Sequence, residues 1–154
     1  MGLFSKRESG DAGEPGQASD GPALGELNEA EQDWVTSNVQ VLIDSGIDIS
    51  DATQIGDYYD ELRTQWLSEP ADARSDPNPL INILGSGLGQ HLVNNYGMRW
   101  VIATDQYGTE MAVHAEPANV LAFPANAIAK RWASDERGAA FIPALAEMIG
   151  AQTG

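Results

Sequence analysis

Between residues 28 and 46 the apolar side chains Trp34, Val35, Val39, Leu42 and Ile43 recur at three- and four-residue intervals, which sets one stripe of an α-helix against a core. Asn28 precedes Glu31 by three residues. In that arrangement the Asn side chain accepts from a free first-turn amide and the Glu carboxylate accepts from the Asn28 amide, so a helix is expected to begin there. Gly46 is the expected stop. A second helix is expected from Asp51, with Gln54 in the reciprocal capping position and Ile55, Tyr59, Leu62 and Trp66 on one stripe, ending before Pro70. Asn78 and Pro79 open a third, since proline fits a first helical turn without losing a needed hydrogen bond. Its stripe is Leu80, Leu84, Leu88 and Leu92, with Ile81 and Tyr96 beside it and Gly97 as its stop.

Beyond Gly97 the period changes to two. Residues 98–104 and 109–115 are rich in strand formers, and Asp105-Gln106-Tyr107-Gly108 between them reads as a turn, which predicts a hairpin. If Asp105 stands opposite Thr109, Trp100 faces His114 across the strands. Residues 120–123 add a third strand, Ala125, Ile128, Ala129 and Trp132 a short helix, and residues 139–149 a last helix carrying Phe141, Leu145, Met148 and Ile149. The fold class expected is α+β: amino-terminal helices, an antiparallel hairpin or three-stranded meander, then carboxy-terminal helices.

Composition narrows the chemistry. Residues 5–25 are dominated by glycine, serine, proline, alanine and acids, with Leu24 their one large apolar residue. Such a stretch buries too little to offset its conformational entropy, so residues 1–26 are expected to be a disordered acidic tail, dispensable for the fold, ahead of a single domain over 27–152. Cysteine is absent, which removes disulfides, thiolate nucleophiles and cysteine-ligated metal. Twenty-three acids against eight bases give a net charge of -15, which repels phosphate backbones and anionic lipid; neither nucleic acid nor membrane is an expected partner. The charge is also segregated, with sixteen acids and the single base Arg63 between Glu8 and Asp72. Polar residues directly after Phe4 leave no apolar core for a secretory leader, and Lys6 stands where a myristoylation signal needs Ser or Thr. The expected location is cytoplasmic. The richest apolar run, 80–92, is broken by three glycines and Ser86, short of a membrane span.

Several local patterns fail on inspection. Gly85-Ser86-Gly87-Leu88-Gly89 lacks the third glycine of a dinucleotide fingerprint, which would fall at Gln90, and follows a helix start instead of a strand. It also lacks the frame of a serine nucleophile elbow. Gly85 and Gly89 lie one helical turn apart, a pair expected to admit a neighbouring backbone. Asp44, Asp48 and Asp51 start like a calcium loop, but Ile49 and Ile55 stand where Gly and Glu are required. His91 and His114, the only histidines, sit in no metal-ligand spacing, so neither metal nor other cofactor is expected. His91 falls on the third helix's apolar side near Asn95; with Trp100 and His114 these form the candidate pocket, between that helix and the hairpin. Lys130 and Arg131 are the candidate anion or partner contact, against a role at a helix end.

Gly85, Gly89 and Leu92, then Gly97-Met98-Arg99-Trp100-Val101, Asp105 with Gly108, and Phe123-Pro124 leading to Lys130-Arg131 follow an order and spacing that resembles a bacterial family catalogued as a domain of unknown function, DUF3806. The resemblance covers the second half of the chain. It implies a shared fold and carries no catalytic residue. The function expected from the residues is a non-enzymatic, cytoplasmic protein-interaction module whose acidic helical face meets a basic protein. The alternatives are a secretion-chaperone-like client binder, or a small-ligand-binding or enzymatic domain using the candidate pocket.

Overall fold

The computed structural model describes residues 21–154. Five helices surround one side of a small antiparallel sheet: β1 (Ala23–Gly25), α1 (Glu29–Asp44), α2 (Ala52–Leu67), α3 (Asn78–Tyr96), β2 (Arg99–Asp105), β3 (Gly108–Ala115), β4 (Val120–Ala122), α4 (Pro124–Trp132) and α5 (Gly138–Thr153). The strand order is β1-β2-β3-β4, each neighbour antiparallel. The fold is α+β, with the three-stranded meander extended by one strand from the amino-terminal side.

That extra strand redraws the expected tail. Residues 1–20 lie outside the described ones, but Ala23–Gly25 pairs with β2 and Leu27 is buried. Three residues are too few to show an alternating pattern; the free edge of β2 supplies the hydrogen bonds that define them.

The helix starts follow local rules. Asn28 Oδ1 accepts from the Glu31 amide at 2.8 Å and Glu31 Oε1 from the Asn28 amide at 2.8 Å, closing the capping box. Asp51 caps α2 through the Thr53 amide, while Gln54 Oε1 instead accepts from the Asp48 amide at 2.9 Å. Gly97 ends α3 in a left-handed conformation, φ 71°.

α3 is the axis of the molecule and packs on α1, α2, α4, α5 and the sheet. Ile81, Leu84, Leu88 and Leu92 are buried on it, and so are Gly85, Ser86, Gly87 and Gly89 between them. Its small residues are seats. A Cβ on Gly85 would stand 2.6 Å from the Ala125 Cα of α4, and one on Gly87 would strike Leu42 of α1. The main core joins Ile55 and Tyr59 of α2 to α3, Val113 and Ala115 of β3, Ile128 and Trp132 of α4, and Phe141 and Ile142 of α5. A second cluster, Leu27, Val35 and Val39, packs on Trp100, Ile102 and Met111 and so lays α1 against the sheet.

The hairpin closes one residue tighter than expected. Asp105 pairs with Gly108, which places Trp100 opposite Val113 and Arg99 opposite His114. Asp105 Oδ1 accepts from the Tyr107 amide at 2.7 Å and Gly108 adopts φ 140°, so only Gln106 and Tyr107 remain in the loop. A one-residue change of register reverses every side chain. Trp100 and His114 therefore stand on opposite faces of the sheet.

Candidate functional site

The four side chains of the expected pocket are separated. His91 is buried, and its Nδ1 donates to the Ile49 carbonyl at 2.7 Å; that acceptor fixes the proton on Nδ1. Asn95, exposed one turn on, donates to the Ser50 carbonyl at 3.0 Å. Together they hold the segment between α1 and α2 onto α3. His114 is 1% exposed, donates through Nε2 to Asn119 Oδ1 at 2.7 Å, and leaves Nδ1 buried without a hydrogen bond.

Trp100 alone lines the space between α3 and the hairpin. Its ring lies over Gly89, where a Cβ would collide with the indole, and Nε1 donates to Gln90 Oε1 at 3.0 Å. Gly89 thus faces an aromatic ring, whereas Gly85 faces backbone. The indole divides two clefts. One, of about 440 Å³, is walled by Leu27, Gln32, Gln90 and Arg99. The other, of about 320 Å³, runs between Trp34 of α1, Trp100 and Met111 of the sheet, and Pro124 of α4, with Gly85 and Ser86 as its floor. Ser86 Oγ accepts from Asn38 Nδ2 at 3.1 Å, pinning α1 beside it. Glu110, next to Met111 on β3, points by register to the opposite face of the sheet, and burial there holds its carboxyl above the usual range. This second cleft suits an apolar side chain entering from solvent between two indoles.

Trp34 is 42% exposed at that rim. Its place on the first helix's stripe gave no sign that it would stand half outside the core. Val41, two turns along on the same side, is 40% exposed, and Ile43 48%.

Of the basic pair, Lys130 is exposed. Arg131 is engaged: Nη1 donates to the Ala127 carbonyl at 3.2 Å, the guanidinium lies 5.0 Å from the Phe141 ring centroid, and Nε stands 3.6 Å from Glu136 Oε1, an ion pair just beyond hydrogen-bond reach. The acids also divide by role. Asp60 receives the Gly138 and Ala139 amides at 2.6 and 3.0 Å and capS the start of α5 from across the helix interface, with Arg137 3.4 Å away. Hydrogen bonds from Ser50 hold Asp48 below the usual carboxylate range, and those from Ser75 do the same for Glu69. Asp33, Asp57 and Glu61 are exposed. Among the described residues no group of three or more His, Cys, Asp or Glu is placed to hold a metal ion, and no helix is long and apolar enough to cross a membrane.

No curated protein and no solved structure matches the chain. The family described as a domain of unknown function (DUF3806) matches residues 61–141, a stretch from the second half of α2 through α3, the hairpin, β4 and α4 into the first turn of α5. That is more than half of the chain, spanning both Gly85 and Trp100, and the protein belongs to this family.

Proposed function

We propose that the protein is a protein-interaction module whose α1 face, with the cleft between Trp34 and Trp100, receives a basic partner carrying an apolar side chain. The observation that carries this reading is Trp34, 42% exposed at the rim of a largely apolar cleft, with Val41 continuing the same strip of helix. Large aromatic side chains anchor protein interfaces because they offer much contact area for little lost rotamer freedom. Charge supplies the second half of the argument. From Glu26 to Asp72 there are twelve acids and one base, and that base, Arg63, donates to the Trp132 carbonyl at 2.7 Å. An exposed apolar strip set among acids favours a cationic, amphipathic surface over an acidic one.

The test compares capture by the wild type, by Trp34→Ala, and by a variant neutralised at Glu29→Gln, Asp33→Asn, Asp57→Asn and Glu61→Gln, at 0.1 M and 1 M salt. Those four acids leave the caps formed by Glu31 and Asp60 intact. Both variants are expected to lose a partner that the wild type retains at low salt and releases as the screening length falls from about 10 to 3 Å. A partner held equally by all three proteins overturns the reading.

A further inference from the structure

The cleft on the other side of Trp100 plays no part in the partner reading, and its lining differs. β1 and β2 part after the pair of Gly25 with Ile102, so Glu26 and Leu27 leave the sheet beside Arg99 and Trp100, the first residues of β2. The turn of α1 that carries Val35 and Thr36 forms another wall, and the space enclosed is about 440 Å³, within the range of roughly 300 to 1,000 Å³ usual for small-molecule sites. Its apolar wall is fixed in place. Leu27 and Val35 are buried, and the Trp100 indole is held by Gln90 Oε1 at 3.0 Å while Gln90 Nε2 donates to Asn94 Oδ1 at 2.9 Å. Its charges are uncommitted. Four of the five described arginines serve the fold: Arg63 donates to the Trp132 carbonyl, Arg74 to the Leu67 and Glu69 carbonyls, Arg131 to the Ala127 carbonyl, and Arg137 pairs with Asp60. Arg99 is the fifth; it is exposed, and among the described residues its guanidinium has no hydrogen bond, ion pair or ring contact. Glu26 borders the same cleft and is likewise unpaired, so the two opposite charges share the space without neutralising each other.

We propose that this cleft binds a free α-amino acid with a large apolar side chain, its carboxylate on Arg99, its ammonium on Glu26 and its side chain against Trp100, Leu27 and Val35. The planar guanidinium presents paired N–H donors that match a carboxylate, and the Thr36 hydroxyl adds a donor to the same lining. Charge decides between a zwitterion and a simple anion. A carboxylate alone would enter against the net charge of -15. An amino acid carries no net charge, and it needs what the lining supplies, one cation and one anion held apart. The preference for the side chain follows from the wall, where an indole face beside two branched aliphatic chains suits an aromatic or branched group. This inference does not rest on the partner reading, which uses the second cleft.

The probe is L-phenylalanine, titrated to about 20 mM into the full-length protein and read from the Trp100 indole N–H signal in nuclear magnetic resonance spectra. A saturable shift of that signal and of the Arg99 and Thr36 amides is expected. Phenylpropionate, which lacks the ammonium, and phenethylamine, which lacks the carboxylate, are each expected to bind about tenfold or more weakly. Arg99→Gln and Glu26→Gln, both at exposed positions, are expected to weaken binding of L-phenylalanine by about tenfold with the melting temperature unchanged. Trp34→Ala, the variant that tests the partner reading, is expected to bind it as the wild type does, so either proposal can fail without the other. No saturable shift at Trp100 overturns the proposal. So does binding of either truncated analogue as tight as that of L-phenylalanine, and so does a shift centred on Trp34 and Met111 in the second cleft.

Discussion

α1 and α2 are both sixteen residues long, both start on a side-chain cap and both carry acids on their outer sides, yet they are bound into the molecule to different degrees. α2 is keyed into α5 at backbone level. A Cβ on Gly138 would stand 2.6 Å from the Gly56 carbonyl, Asp60 caps the neighbouring helix, and Tyr59 meets Trp132 and Phe141 edge to face at 5.4 and 5.1 Å. α1 rests on the sheet and α3 through Val35, Val39 and Leu42, and leaves Trp34, Val41 and Ile43 out. Similar patterns thus have different outcomes: one helix spends its polar groups on the fold, the other leaves large apolar side chains at its surface. The family match begins at residue 61, inside α2, and does not include α1.

The contrast is most directly broken at the helix crossing. Gly56→Leu forces α2 away from α5, where the obstacle is backbone and cannot turn aside; a loss of about 3 kcal/mol is expected from the denaturant midpoint. Alkali tests the same helix without a mutation. Burial pushes the Tyr59 phenol up to about 12, against 10.0 when free. The unfolded chain therefore releases this proton first, and its contribution to stability, intact below pH 10, declines between pH 10 and 12 by up to about 1.4 kcal/mol per unit. Tyr59→Phe should flatten that part of the stability profile, since its hydroxyl has no hydrogen bond to lose.

Asp60→Ala removes the cap of α5 and is expected to cost about 1 to 2 kcal/mol, with partial recovery in Asp60→Asn, whose amide oxygen still accepts. Melting curves of the pair distinguish a cap from a merely solvated acid. At the other extreme, Val41→Gln and Ile43→Gln on α1 should change stability by no more than about 0.5 kcal/mol. A larger loss there would mean that α1 is as deeply keyed as α2, and the contrast would fail.

Wherever a feature depends on neighbours in the chain, the sequence alone determined it. The capping box at Asn28 and Glu31, the proline start and glycine stop of α3, the hairpin and the order of elements all follow from contacts within a few residues, as does the α+β class they add up to. The family signal ran through the same stretch. Tertiary structure decided what depends on which distant surfaces meet. The hairpin register turned on one residue of loop length and so sent Trp100 and His114 to opposite faces. Asp60 looks in sequence like any solvated acid, and it becomes a cap only because α5 begins beside it. Gly56 and Gly138 are unremarked until two helices cross there. Trp34 sits at stripe spacing on α1, but how much of its ring the core can cover is set by the width of the cleft between α3 and the sheet, a distance no local pattern encodes.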